Sequence, residues 1–469
     1  MSHSEAQTSI DLDPDWGKAF EQYENVMSSG TEAMRIKAMS KLAHLCKHAP
    51  EVILARTIPI LAEILCDVPS NISNQPIQEA ALYCLGHIAR QGNGALATGI
   101  GQYGVIKSIL RFLPHSDNGF QRVMMKCLWI LVTFGKKNRE VLAGAGGLEI
   151  ILSMLNLHED GIRRYSLEIL SALALLREVR RVLTSLGGLR FLVEAASCGS
   201  MVSRERACQA IGLLGVTRRA RRLLVELGVI PVLIDFFRNG DSKAKLVAGN
   251  SLGMISAHVQ YIRPVAQAGA IPLFAELLRG PEPVGKEIAE DVFCILAVAE
   301  VNAVEISEYL VAILREGDDE AKAAAADVLW DLSSYKHSVS VVQNSGAIPL
   351  LVELLRDGDS GVGEKVSGAI AQLSYAEADR VALANEGVIP LLIDLLQANS
   401  EEVRDNVAEA LVNFSEDPLY CDRISEVIDL LSFENMQNRL IRIRASDEHM
   451  TRSLRRMSIE QLTRESDLI

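Results

Sequence analysis

Aromatic residues are scarce in this chain of 469 residues: Phe, Trp and Tyr together make up 5%, against a hydrophobic fraction of 49%. The apolar surface must therefore be mostly aliphatic, and composition alone leans towards helices. The 8 cysteines (Cys46, Cys66, Cys84, Cys127, Cys198, Cys208, Cys294 and Cys421) include no CxxC pair or other metal-like spacing. Most fall in apolar helical patterns, where a free thiol behaves as a small buried hydrophobe, so the expected setting is a reducing compartment, the cytoplasm and with it the nucleus. No apolar run approaches the roughly 20 residues of a membrane span. The opening MSHSEAQTSIDLDPDW is acidic and polar, without the look of a secretory leader, and Ser2 breaks the myristoylation pattern.

Catalytic constellations are missing too. GNGALA at Gly92 fits a dinucleotide-binding spacing but follows a helical pattern, not a strand, and HED at His158 has no second histidine in register. NIS at Asn71 and NFS at Asn413 match the glycosylation sequon in a chain that nothing routes to the secretory pathway. No P-loop, nucleophile elbow or zinc spacing occurs, so neither an enzyme nor a cofactor is expected.

What is present is repetition. GVIPVLIDFF at 228, GAIPLFAELL at 269, GAIPLLVELL at 346 and GVIPLLIDLL at 387 are copies of one segment, with looser copies at Gly104, Gly146 and Gly187. The steps between these glycines are 42, 41, 41, 41, 77 and 41; EISEYLVAIL from Glu305 divides the long step, and RTIPILAEIL from Arg56 is a further copy. A period near 41 in a helical pattern means a solenoid, in which each unit buries its apolar stripe only against its neighbours. Each unit reads as a short helix, a turn at the glycine, a second helix with proline in its first turn (Pro59, Pro231, Pro272, Pro349, Pro390), a polar break and a longer third helix.

The G-x-I-P-x-L-V-x-L-L second helix and the third helices, VAEALVNFS among them, resemble the armadillo repeat in the style of plant armadillo-only and U-box armadillo proteins. The resemblance implies an all-α, right-handed superhelical solenoid whose third helices line a concave groove that grips extended peptides. It covers residues 31–431 as an array of nine to ten repeats, after a segment 1–30 containing a capping helix and before a basic tail 432–469 that is helical in part.

In that family an Asn of the third helix often bonds the backbone of the bound peptide, which its paired donor and acceptor suit. Stepping back from Asn413 by the repeat gives Gln372, Asp331, Ile295, Met254, Leu213, Ala172, Ile130 and His87. The family's import adaptors carry Trp four residues before the Asn. Here that position holds Tyr83, Lys126, Glu168, Gln209, Asn250, Asp291, Asp327, Gly368 and Glu409, which argues against that role. The expected site is a polar, acidic face made by Asp291, Asp327, Asp331, Gln372, Glu409 and Asn413, next to an apolar stretch of Ile130, Leu213, Met254 and Ile295. Both sets also read as core residues and a solvated acidic face.

The net charge of -13 conceals a division. From Gly161 to Gly228 there are 12 Arg and no Lys against 5 Glu, whereas Glu276 to Glu434 holds 32 acids against 10 bases. The bases align by repeat between one third helix and the next first helix: Lys136, Lys137 and Arg139; Arg180 and Arg181; Arg218, Arg219, Arg221 and Arg222. Packed helices about 8–10 Å apart would make them a basic ridge facing an acidic partner or an anionic membrane, or a plain solvated edge. So few aromatics accompany them that nucleic acid is a poor fit.

In the tail, RIRAS and LRRMS place Ser446 and Ser458 behind arginines, the pattern basophilic kinases prefer. The reading that follows is a non-catalytic scaffold binding an extended, partly basic protein segment. Substrate recognition for a ubiquitin ligase recruited separately, since no U-box is visible, and recruitment to anionic membranes remain open alternatives.

Overall fold

Each glycine that marks the period turns the chain in the computed structural model, which describes residues 15–66, 74–157, 160–333, 338–356 and 361–425. Gly104, Gly146, Gly187, Gly228, Gly269, Gly346 and Gly387 all have φ between 69° and 88°, the left-handed region that costs other residues about 1–2 kcal/mol. The described residues form 28 α-helices and, among them, no strand. A short first helix ends at the glycine, and the second helix starts right after it, as in Glu377–Asn385, Gly387 and Val388–Leu395.

The role of the glycine shows most clearly where it is missing. At Arg56 and Glu305 the expected turn does not form. The first and second helices run together as Glu51–Cys66 and Glu300–Glu316, because neither side chain tolerates positive φ. Pro59 therefore lies inside a helix rather than in a first turn, where its missing N–H leaves the Ala55 carbonyl without the usual donor. The other repeat prolines sit where expected, Pro390 for example being third in Val388–Leu395.

A Cβ added at Gly387 would meet nothing within 4 Å, so the need for glycine there is conformational and not steric. Gly387→Ala is accordingly expected to cost about 1–2 kcal/mol, read as a lowered urea midpoint with an unchanged m-value.

Six of the polar breaks before third helices supply caps. Thr31, Asp117, Ser200, Asp241, Asp318 and Ser400 each accept a hydrogen bond from the backbone N–H three residues on, at 2.8–3.4 Å. Such caps contribute about 0.5–2 kcal/mol each.

The helices fall into two units, residues 1–210 and 211–469. In the first, Trp16–Ser29 is capped by Asp15 and packs on Glu32–Leu45 and Glu51–Cys66. Phe20 is buried, with the Arg56 guanidinium 4.1 Å above its ring. In the second, the core is aliphatic around a few rings, with Phe237 and Phe274 edge to face at 4.9 Å and Phe293 6.3 Å from Phe274. Cys84, Cys127, Cys208 and Cys294 are fully buried in third helices. Burial alone pushes the Cys127 thiol up to about 12, and it is the main cause of the same shift at Cys208.

Candidate protein-interaction surface

The six expected groove residues all lie in the second unit, on four third helices: Pro283–Leu296, Asp319–Leu332, Gly361–Leu373 and Glu401–Ser415. They differ in how far they are open. Asp291 is exposed, Asp327 and Gln372 are half-buried, and Asp331, Glu409 and Asn413 are buried. The buried three are engaged between repeats. Asn413 Nδ2 donates to Ser374 Oγ at 2.9 Å, the Tyr375 hydroxyl donates to Glu409 at 2.5 Å, and the Cys294 thiol donates to Asp331 at 3.7 Å. Asp327 pairs with Lys365 at 3.7 Å. Much of this polar ladder thus holds third helices together.

Asn413 and Asn406 repeat one geometry, since Asn406 Nδ2 donates to Ser367 Oγ at 3.0 Å in the preceding third helix, Gly361–Leu373, which Ser374 follows directly. An amide bonded to a buried hydroxyl in this way fixes the register between two helices, and leaving either partner unsatisfied would cost about 1–3 kcal/mol.

The apolar stretch is present only in part. Leu213 is 46% exposed, and Met254 and Ile295 are half-buried, all three in the second unit. Ile130 does not belong to it. It is 4% exposed, its Cδ1 lying 3.2 Å from where a Cβ on Gly86 would be, because the small Gly86 lets the neighbouring third helix close over it.

Nothing in the sequence reading pointed to the Trp330 ring. A Cβ on Gly368 would lie 2.1 Å from that ring, so the position where import adaptors carry Trp is a glycine over which the previous repeat lays its own.

Nor do the arginines form one class. Arg139 Nε donates to the Val132 carbonyl at 3.0 Å. Arg180 Nη1 donates to Ala174 and Leu175 at 3.1 and 2.7 Å, and Arg221 donates to Gly215 and Ala257 at 2.8 and 2.9 Å. These carbonyls end third helices, where backbone acceptors lack helical partners and the helix dipole is negative. Arg139 and Arg180 are half-buried and Arg221 is 7% exposed, and burial pulls all three below the usual guanidinium pKa. They are C-caps and not part of a ridge. Arg380, unnoticed in the sequence, does the same for Ser374 and Tyr375 at 2.8 and 3.1 Å. The available signal was position, for all four precede a turn glycine by seven residues.

What stays exposed is Lys136, Lys137 and Arg181 in the first unit and Arg218, Arg219 and Arg222 in the second, with Arg222 3.1 Å from Glu226. Ser446 and Ser458, with the whole of 432–469, lie outside the described residues.

One further group stands out at this level. Asp379 is fully buried, neither carboxyl oxygen makes a hydrogen bond of full geometry, and burial pushes its pKa up to about 6, an effect that the nearby Gln343 side chain only partly counters. The first-unit residue in the same register is Asn138, whose Nδ2 donates to Ala97 and Leu131 carbonyls at 2.8 and 3.0 Å. Because the folded pKa lies above the unfolded value of about 3.9, the carboxyl suits the fold only while protonated. Stability is therefore lost as pH rises from about 4 through 6 and stays lower above that. Asp379→Asn is expected to stabilise the chain at pH 7 by about 1–3 kcal/mol, with the gain shrinking to nothing near pH 4 when unfolding is followed across pH.

Residues 377–416 match the family model of the Armadillo/beta-catenin-like repeat. The matched span holds the three helices Glu377–Asn385, Val388–Leu395 and Glu401–Ser415, one complete unit. The chain carries an armadillo repeat. A crystal structure of an engineered protein is similar to this chain at a TM-score of 0.64 and 20% identity, over 84% of this chain and 98% of that one. At that identity the likeness concerns the fold, an all-α armadillo-like solenoid. No curated protein matches.

Proposed function

We propose that this armadillo-like chain is a non-catalytic scaffold that binds an extended, partly basic segment of another protein on the third-helix face of its second unit. One observation carries the reading: exposed Asp291 stands beside the half-buried Ile295 one turn along the same helix, with exposed Leu213 and half-buried Met254 at the equivalent positions of earlier repeats. Apolar side chains left open at successive repeats, with Gln209, Asn250 and the acidic Asp291 one turn before them, suit a peptide that alternates aliphatic and basic residues.

Asp291 and Leu213 are open enough to change without emptying the core. A display library of extended peptides should enrich basic-aliphatic sequences on the native chain. Asp291→Lys combined with Leu213→Ser should lower their affinity at least tenfold while the thermal midpoint stays put. An unchanged peptide profile would remove this face from the argument.

A second reading rests on the exposed bases. Attachment to an anionic surface through exposed bases, either Lys136, Lys137 and Arg181 in the first unit or Arg218, Arg219 and Arg222 in the second, draws on their solvent exposure. Flotation with phosphatidylserine vesicles, repeated with Arg181 and Arg222 reversed to Glu, tests it. Equal flotation of both forms would dismiss it.

A further inference from the structure

We propose that the third-helix face of the first unit binds an acidic, extended segment of another protein through His44, Lys47, His87, Arg90 and Lys126. This goes beyond the reading above, which places a basic ligand on the second unit.

Three third helices of the first unit, Glu32–Leu45, Gln75–Ile88 and Asn118–Phe134, pack one against the next. His87 stands on the middle helix at the register of Asn413, half-buried, with the Tyr83 ring one turn earlier at 4.5 Å and 42% exposed. The charges that act on its imidazole are all basic. Burial lowers the His87 pKa most, and Arg90 just past the same helix, Lys126 on the next, and His44 and Lys47 around the end of the previous one lower it further.

These bases are open and unengaged. His44, Lys47, Arg90 and Lys126 are exposed, and among the described residues none of the five pairs with a carboxylate or donates a side-chain hydrogen bond. Arg139, Arg180 and Arg221, in contrast, are closed on helix ends. A group of like charges without counter-charges is stabilised by an anion placed among them, and its field draws acidic partners to that face. The second unit carries acids at the position of Tyr83, namely Asp291, Asp327 and Glu409, so the two faces select segments of opposite charge.

Spacing gives the ligand its form. Helices packed about 8–10 Å apart are crossed by an extended chain at roughly 3.3 Å per residue, about three residues to a helix. A carboxylate at every third residue therefore meets one basic cluster after another, and the Tyr83 ring offers the residues between them a flat apolar surface.

The test uses the full chain and a fluorescein-labelled peptide with Glu at every third position and Ala and Ser between, beside the same peptide with Gln for Glu. Anisotropy should show the Glu peptide binding at least tenfold more tightly than the Gln peptide. Lys47→Glu with Lys126→Glu should lower its affinity at least tenfold while the thermal midpoint stays put. Lys136→Glu with Lys137→Glu, an equal change of charge on exposed bases of a first helix, should alter it less than twofold. In proton NMR the titration midpoint of the His87 imidazole should rise when the Glu peptide is bound, because the bound carboxylates offset the cations around it. No binding of the Glu peptide, equal affinity for the native chain and the Lys47 and Lys126 double variant, equal losses in both double variants, or a His87 midpoint that does not move overturns the proposal. So does flotation with phosphatidylserine vesicles that the Lys47 and Lys126 changes abolish while the Glu peptide binds neither form, which would give the face to a membrane.

Discussion

Arg221→Ala is expected to destabilise the second unit by about 2–4 kcal/mol, whereas Arg222→Ala, the next residue on the same helix, should change stability by less than about 0.5 kcal/mol. Arg221 is 7% exposed and ties the carbonyl of Gly215, which closes one third helix, to that of Ala257 after the next. Removing it strands two acceptors and empties the volume of a packed side chain. Arg222 is exposed, and its one ion pair, with Glu226 at 3.1 Å, lies on the surface, where such pairs contribute about 0–1 kcal/mol. Urea unfolding of the two variants in parallel decides the matter. Equal midpoints would mean that Arg221 is no cap. Arg221→Lys should recover only part of the loss, since an ammonium cannot span two carbonyls as a planar guanidinium does.

Gly368→Ala should cost about 1–3 kcal/mol. On helix propensity alone the sign would be opposite, because alanine is favoured over glycine by about 1 kcal/mol in a helix interior. The clash decides. An added Cβ would lie 2.1 Å from the Trp330 ring, and that ring is rigid, with no flexible end to move aside. The helices Asp319–Leu332 and Gly361–Leu373 would have to separate. Trp330→Leu should cost stability alone through the lost ring, yet make Gly368→Ala much less harmful in the double variant, a coupling that a double-mutant cycle measures directly.

The contrast between these residues and the repeat glycines shows what could be read in advance. A glycine that recurs at a fixed step and precedes an I-P pair carries its own explanation, since local backbone geometry alone requires it. Arg139, Arg180 and Arg221 recur at the same step, and the sequence showed that regularity without showing its cause. Their charge read as a ridge, while the carbonyls they reach lie five or more residues back, at the end of the preceding helix, or in the next repeat. Asn413 read as an open ladder rung. Its partner Ser374 lies in the previous repeat, and only packing brings the two within 2.9 Å.

The sequence by itself determined the period, the helical class, the turns at seven glycines and the caps that start the third helices, because each of these depends on contacts within a few residues. At Arg56 and Glu305, where the glycine is missing, the expected turn gave way to one continuous helix. The tertiary structure decided which members of each regular series face inward: which arginine closes a helix end, which amide clasps a neighbour, and that Trp330 covers Gly368. Those outcomes depend on the distance between stacked helices, which is set by the sizes of side chains about 40 positions apart, and one repeat read alone holds no record of what its neighbour leaves open.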